Sequence, residues 1–184
     1  MTHDLPERPG SQPRPPGPFA YCSSCGSPNE IQERDGRHRP VCTACGYITF
    51  LDPKLAVAAL IVRDGQILLG KRGPGTRSPG KWSFPAGFVE RGEQVEAATA
   101  REVREETGLD VEPGALVGLF SEPGETVVLA VYEATLNDTG AVPVAADDLV
   151  DLDWFPLARL PELAFERDYR IIECLLGGQK VVRD

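Results

Sequence analysis

Glu102, Glu105 and Glu106 share one short segment, REVREETGL, with Arg101 and Arg104. On a helix, at about 100° per residue, the three glutamates fall at about 0°, 300° and 40°. Three carboxylates then project from one wedge. Like charges at this spacing destabilise a helix by about 0.2–0.5 kcal/mol per pair, and Arg101, four residues before Glu105, offsets part of that. A cluster of oxygens of this kind suits a hard cation such as Mg²⁺ or Mn²⁺, with waters and substrate phosphates completing its shell. A solvated charged helix face produces the same run of residues, and the segment alone does not separate the two.

The second constellation is cysteine. Cys22-x2-Cys25 and Cys42-x2-Cys45 are two tight pairs, each followed by a glycine, Gly26 or Gly46. Glycine permits the tight turn that points two sulfurs at one ion. Four thiolates around Zn²⁺ make a closed structural site with no open coordination position for chemistry. The spacing resembles a zinc ribbon, with Asp35-Gly36 as the turn of its hairpin. His38 lies between pairs that already fill the shell, so it is expected to be exposed. Arg34, Arg37, His38 and Arg39 are diluted by Glu30, Glu33 and Asp35. A structural or dimer-forming role is therefore favoured over a grip on nucleic acid.

These groups need elements to hold them. A helix is expected from Glu93 to about Thr107, favoured by Ala97, Ala98 and Ala100 and closed by Gly108. From Leu55 the apolar run LAVAALIVR reads as a strand, paired with QILLG through Asp64-Gly65. Lys71 to Lys81 holds four basic residues and no acid. It reads as a loop, either solvated or a phosphate-contacting rim, with Arg72, Arg77 and Lys81 as candidate substrate contacts. Trp82 and Phe84 are expected in the core. ALVGLF and TVVLAVYEAT are further strands around a Pro123-Gly124 turn, GAVPVAADD a surface loop, and DLDWF another strand. FERDYRIIECLLGG reads as a helix with Phe165, Tyr169, Ile172 and Leu176 on its apolar stripe and Gly177-Gly178 at its stop. Cys174 is expected there as a small core hydrophobe.

The full frame runs Gly87-x5-Glu93-x7-Arg101-Glu102-Val103-x-Glu105-Glu106-x-Gly108-Leu109. It resembles the signature of the Nudix hydrolases at every defined position. The resemblance implies an α/β fold, an α/β/α sandwich with a mixed sheet preceded by the small zinc ribbon. It also implies Mg²⁺- or Mn²⁺-dependent hydrolysis of a nucleoside diphosphate linked to a group X. Carried over by position, Glu102, Glu105 and Glu106 would hold divalent metal, and the Gly87 carbonyl would approach it. Glu93 would assist the metal site or the helix, and Arg101 would orient a glutamate. The general base stays open among Glu102, Glu122, Glu125, Asp147 and Glu162. A ribbon ahead of such a domain resembles the NADH pyrophosphatase group, whose downstream Ser-Gln-Pro-Trp run is replaced here by SEPGETVVLAVYEAT. That departure counts against NADH, and residues 19–176 resemble the short zinc-ribbon Nudix proteins, which implies ADP-ribose, FAD or a related dinucleotide as substrate. NADH or NAD, including NAD caps on RNA, is the alternative, and a non-catalytic Nudix-fold ligand-binding module is a second.

Composition bounds the rest. The 184 residues suffice for one ordinary core and a small accessory unit. Six prolines and little apolar residue in 1–18 predict a disordered tail, leaving 19–50 for the ribbon and 51–184 for the hydrolase domain. A net charge of −9 argues against a general nucleic-acid surface, and the expected partner is a small nucleotide. No apolar run approaches a membrane span. The start, MTHDLPERPG, has no apolar signal core, so a cytoplasmic location is expected.

Overall fold

The structure is a computed structural model of the chain and describes residues 19–177 and the backbone of 182–183. The proline-rich tail and Gly178 lie outside the described residues. The chain divides into two compact units, residues 1–52 and 53–184.

In the first unit, β1 (Asn29–Arg34) and β2 (Arg37–Cys42) form an antiparallel hairpin. Its turn residues Asp35 and Gly36 both take positive φ, 51° and 71°. That pair of left-handed residues matches the twist of a two-residue hairpin, which is why Asp-Gly suits the position.

The second unit is built on β3 (Lys54–Arg63) and β4 (Gln66–Arg72), joined by Asp64-Gly65 in the same left-handed pair, φ 51° and 74°. Next come β5 (Trp82–Ser83), β6 (Ala86–Phe88), α1 (Val95–Thr107), β7 (Val111–Phe120) and β8 (Val127–Leu136). They are followed by β9 (Leu149–Pro156), β10 (Arg159–Leu160), α2 (Glu166–Leu175) and β11 (Val182–Arg183). The main sheet runs β5-β4-β3-β8-β7, with β6 also on β3 and β9 also on β4. β3 and β8 are parallel and the other pairings antiparallel, so the sheet is mixed.

Period-two alternation explains the two layers. Ala56, Ala58 and Leu60 of β3 pack with Tyr169, Ile171 and Ile172 of α2. The intervening Ala59 and Ile61 pack with Val103 of α1, and Val57 with Ala98. β3 is therefore covered on both faces, and its apolar run has no polar alternation. Alanines on both sides let each helix approach closely. Thr99 and Thr107 are buried in α1 but donate to the Val95 and Val103 carbonyls, so neither hydroxyl is orphaned.

Two expectations are corrected here. The first helix begins at Val95, with Gln94 as its N-cap, not at Glu93. The Glu93 carboxylate turns back to accept the Glu90 N–H and two bonds from Arg101, which keeps it out of the helical turn. On α2 the buried residues are Asp168, Tyr169, Ile171 and Ile172, and Cys174 is exposed. Cys174 sits about 200° around the helix from Ile172, on the far side from the core.

Candidate active site

The site is assembled where β6 crosses under α1. β6 pairs with β3, placing Gly87 opposite Val57. A Cβ on Gly87 would lie 2.0 Å from the Glu102 carboxyl carbon. Glycine is needed here for close approach, since it lets the Glu102 carboxylate rest against the strand. Gly87→Ala is expected to displace one or the other by an ångström or so and lower turnover roughly 100-fold. Steady-state kinetics beside a melting curve checks this; full activity would show that the close contact is dispensable.

Arg101 ties the acids together. Its Nε and one terminal nitrogen bind both oxygens of Glu93 at 2.8 and 3.0 Å. The other terminal nitrogen binds Glu102 at 2.8 Å and Glu105 at 2.9 Å, and the Phe88 carbonyl accepts a further bond at 3.0 Å. The hydrogen bonds from Arg101, then that from Glu90, pull the Glu93 carboxyl down to about 2. Glu106 lies deeper, only 4% exposed, and accepts the Ala86 N–H at 2.8 Å. Burial pushes its carboxyl up to about 8, the Ala86 bond and Arg72 working against that and Glu102 and Asp147 adding to it. Burial likewise raises Glu102. Glu102 and Glu106 are thus desolvated and repel one another, an arrangement that a divalent cation would relieve.

Glu102 and Glu106 line a cleft of about 430 Å³ together with Gly87, Asp147, Arg72, Arg77 and Arg167. Carboxylates and three guanidinium groups thus share one cleft. Of the residues singled out from sequence, Gly87, Glu102, Glu106, Glu125, Asp147, Arg72 and Arg77 meet in this cleft. Glu93, Arg101 and Glu105 form the network beside it. Lys81 does not reach it, and is paired with Glu162 at 2.7 Å. Arg72 donates to the Arg77 carbonyl at 2.7 Å and Arg77 binds both oxygens of Glu125. Trp82 meets Phe155 edge-on at 4.7 Å and Phe84 is buried, as expected of core residues.

The loop GAVPVAADD is more than surface. The Val144 and Ala146 N–H groups donate to the Thr107 and Glu106 carbonyls at the end of α1. They satisfy two of the carbonyls a helix terminus leaves unpaired and bring Asp147 to the cleft. Arg167 was not singled out from sequence, and a charged residue next to a core stripe gives no signal of its role.

Asp168, beside Arg167, is 2% exposed, and its Oδ2 has no hydrogen-bond partner. Burial pushes its carboxyl up to about 7, against the opposing pull of Arg167 and Arg72. The folded state thus holds this proton more tightly than the unfolded chain does. Its stabilising contribution is full below about pH 4 and is lost as pH rises through the folded value, a loss of at most ~4 kcal/mol. Asp168→Asn is expected to melt above the wild type at pH 8, with the gap closing toward pH 5. A gap that does not change with pH would contradict this.

In the first unit the four sulfur atoms lie within 4.8 Å of one another. Contacts of 3.8 Å for Cys22–Cys45 and 3.5 Å for Cys25–Cys42 and Cys25–Cys45 match the ~3.8 Å edge of a tetrahedron with ~2.3 Å metal–sulfur bonds. Gly26 and Gly46, at φ 74° and 72°, donate to the Cys22 and Cys42 carbonyls and close the two turns. The residues fit zinc. His38 is exposed.

Residues 52–175 match the NUDIX domain family, and residues 20–50 match the family described as Nudix N-terminal. The chain belongs to the Nudix family. Its mixed sheet between α1 and α2 is shared with a NUDIX hydrolase from Nitrosomonas europaea, at TM-score 0.72 and 26% identity, covering 89% of this chain and 96% of that one. Among curated Nudix relatives, an ADP-ribose pyrophosphatase from Methanocaldococcus jannaschii is 38% identical over 126 residues, 66% of this chain and 73% of the relative. A NAD-capped RNA hydrolase from Stutzerimonas stutzeri is 36% identical over 145 residues, 78% of this chain. The chain spans about half the length of that hydrolase, 50%. No helix among the described residues is long and apolar enough to cross a membrane.

Proposed function

We propose that this Nudix protein hydrolyses the diphosphate bond of a nucleoside diphosphate linked to X, with ADP-ribose, FAD or a related dinucleotide as substrate. The observation that carries this reading is one cleft lined both by Glu102, Glu106 and Asp147 and by Arg72, Arg77 and Arg167. Glu102, Glu106 and the Gly87 carbonyl would hold Mg²⁺ or Mn²⁺, with Glu105 joining from the same helix. The bound cation supplies Lewis-acid charge on the phosphates and lowers the pKa of its water. The arginines bind and orient the diphosphate oxygens, where positioning and electrostatics dominate phosphoryl transfer. Arg101 keeps Glu102 and Glu93 in place from behind. Asp147 lines the cleft and, among the described residues, stands outside the ion pairs, placed to take the proton of the attacking water on a carboxylate oxygen. Glu122, Glu125 and Glu162 are held by Arg170, Arg77 and Lys81, so they suit that task less well.

The similarity to NAD-capped RNA hydrolases supports a second reading, in which NADH, NAD or an NAD cap is cleaved at the same bond. The four-cysteine unit would hold structural zinc and support the fold or a homodimer. A reduced compartment, the cytoplasm, suits such thiolates.

The test is a Mg²⁺ or Mn²⁺ hydrolysis screen over ADP-ribose, FAD, NADH, NAD and a short NAD-capped RNA. AMP release from ADP-ribose or FAD with the highest kcat/KM supports the main reading, and preference for NADH or capped RNA supports the second. No turnover of any of them would leave a ligand-binding module.

A further inference from the structure

A second cavity of about 420 Å³ adjoins the cleft. Both are lined by Arg77, Glu125, Phe165 and Arg167, and the Arg77–Glu125 pair stands at their boundary. Arg77 comes from the loop after β4 and Glu125 from the loop before β8. The far wall is Arg170 of α2, paired with Glu122. We propose that this cavity receives X, and that it is built for a hydroxyl-rich, non-aromatic group such as a terminal ribose. The proposal rests on the hydrolase reading and extends it.

Three observations select a sugar. Seven of the nine residues lining the cavity are polar or charged, which disfavours an apolar ring system. Phe165 supplies the cavity's aromatic ring, and the guanidinium carbons of Arg72, Arg77 and Arg167 already lie 5.5, 5.7 and 5.0 Å from its centroid. Its faces are engaged by cations, leaving little platform for a flavin or a second base to stack on. Three carboxylates, Glu122, Glu125 and Glu166, and three guanidiniums, Arg77, Arg167 and Arg170, line the cavity. The three charges of each sign cancel formally, so the cavity has no net charge to draw a further phosphate, whereas neighbouring hydroxyls can donate to a carboxylate and accept from a guanidinium at once. The diphosphate would lie in the cleft on the near side of Arg77, which puts X on the far side.

Glu122 and Arg170 line the second cavity and not the catalytic cleft, so they separate specificity from chemistry. Their pair is solvent-accessible, with side chains 35% and 55% exposed, so its loss should cost the fold little. The experiment compares ADP-ribose with the methyl ester of ADP, which keeps the adenosine and diphosphate and reduces X to a methyl group. FAD is run alongside. Wild type is expected to favour ADP-ribose over the methyl ester by roughly 10- to 100-fold in kcat/KM. Glu122→Gln should lower kcat/KM for ADP-ribose about tenfold, mainly through KM, and leave the methyl ester within about twofold. Arg170→Gln, breaking the pair from its other side, should do the same. Equal losses on both substrates, no loss on either, or a wild-type preference for FAD would overturn the sugar assignment while leaving the hydrolase reading standing. A wild type inactive on all three would overturn both.

Discussion

Glu106→Gln is expected to lower kcat by about 10³-fold or more, about 4 kcal/mol at the transition state, in a protein that remains folded. The residue is buried against β6 and accepts the Ala86 N–H, a bond the glutamine carbonyl can also accept. What the amide lacks is the negative charge that would hold a cation. Burial pushes the carboxyl up to about 8, so the metal-free protein already strains to ionise it. The folded state binds this proton more tightly than the unfolded chain, and its stability falls as pH rises from about 4 through that value. The metal-free variant should therefore melt at or above the wild type at pH 8. Kinetics and melting curves on the same preparations check this; a folded variant with wild-type turnover would remove Glu106 from the chemistry.

The second large effect is at the cysteines. Cys42→Ser is expected to reduce bound zinc from one equivalent to near zero. Cys42 supplies a sulfur 3.5 Å from that of Cys25, and its Sγ also accepts the Ala44 and Cys45 N–H groups, so the site is shaped around it. Structural zinc contributes about 10–16 kcal/mol in isolated zinc-finger peptides at neutral pH. Residues 19–50 have little apolar core to replace that, since Cys22, Val41 and Cys42 are their buried hydrophobics. Loss of structure should be confined to this unit, with Mn²⁺ binding at the glutamates retained. Elemental analysis with a Mn²⁺ titration separates the two metals. Retained stoichiometric zinc would refute the four-cysteine site.

Local patterns with a direct physical reading were legible in the sequence. Asp35-Gly36 and Asp64-Gly65 announced their hairpins because few other pairs accept two positive φ values in succession. The near-continuous apolar run of β3 announced a strand, and the structure covers it on both faces. The signature glutamates announced their helix, although its first residue depended on where the Glu93 side chain found its partners. What sequence did not yield were features decided by distant contacts. The position of Asp147 follows from two backbone bonds to the end of α1, and nothing in GAVPVAADD encodes that acceptor. Lys81 looked equivalent to Arg72 and Arg77 until Glu162, far along the chain, claimed it. Cys174 was placed in the core by residue type, whereas helical phase turns it outward. Asp168 and Arg167 stand in a run of mixed charge, Glu166 to Arg170, and the burial of one and the place of the other in the cleft exist only in the fold.

The most direct test of the account is a Mn²⁺ titration followed by electron paramagnetic resonance, with ADP-ribose turnover measured in the same samples of wild type and Glu106→Gln. Turnover should rise in step with Mn²⁺ bound by the wild type, and the variant should bind Mn²⁺ at least about tenfold more weakly and stay inactive at matched total metal. Equal Mn²⁺ binding by the two proteins, or wild-type turnover that persists with no divalent cation bound outside the cysteines, would contradict the assignment of the glutamate half of the cleft.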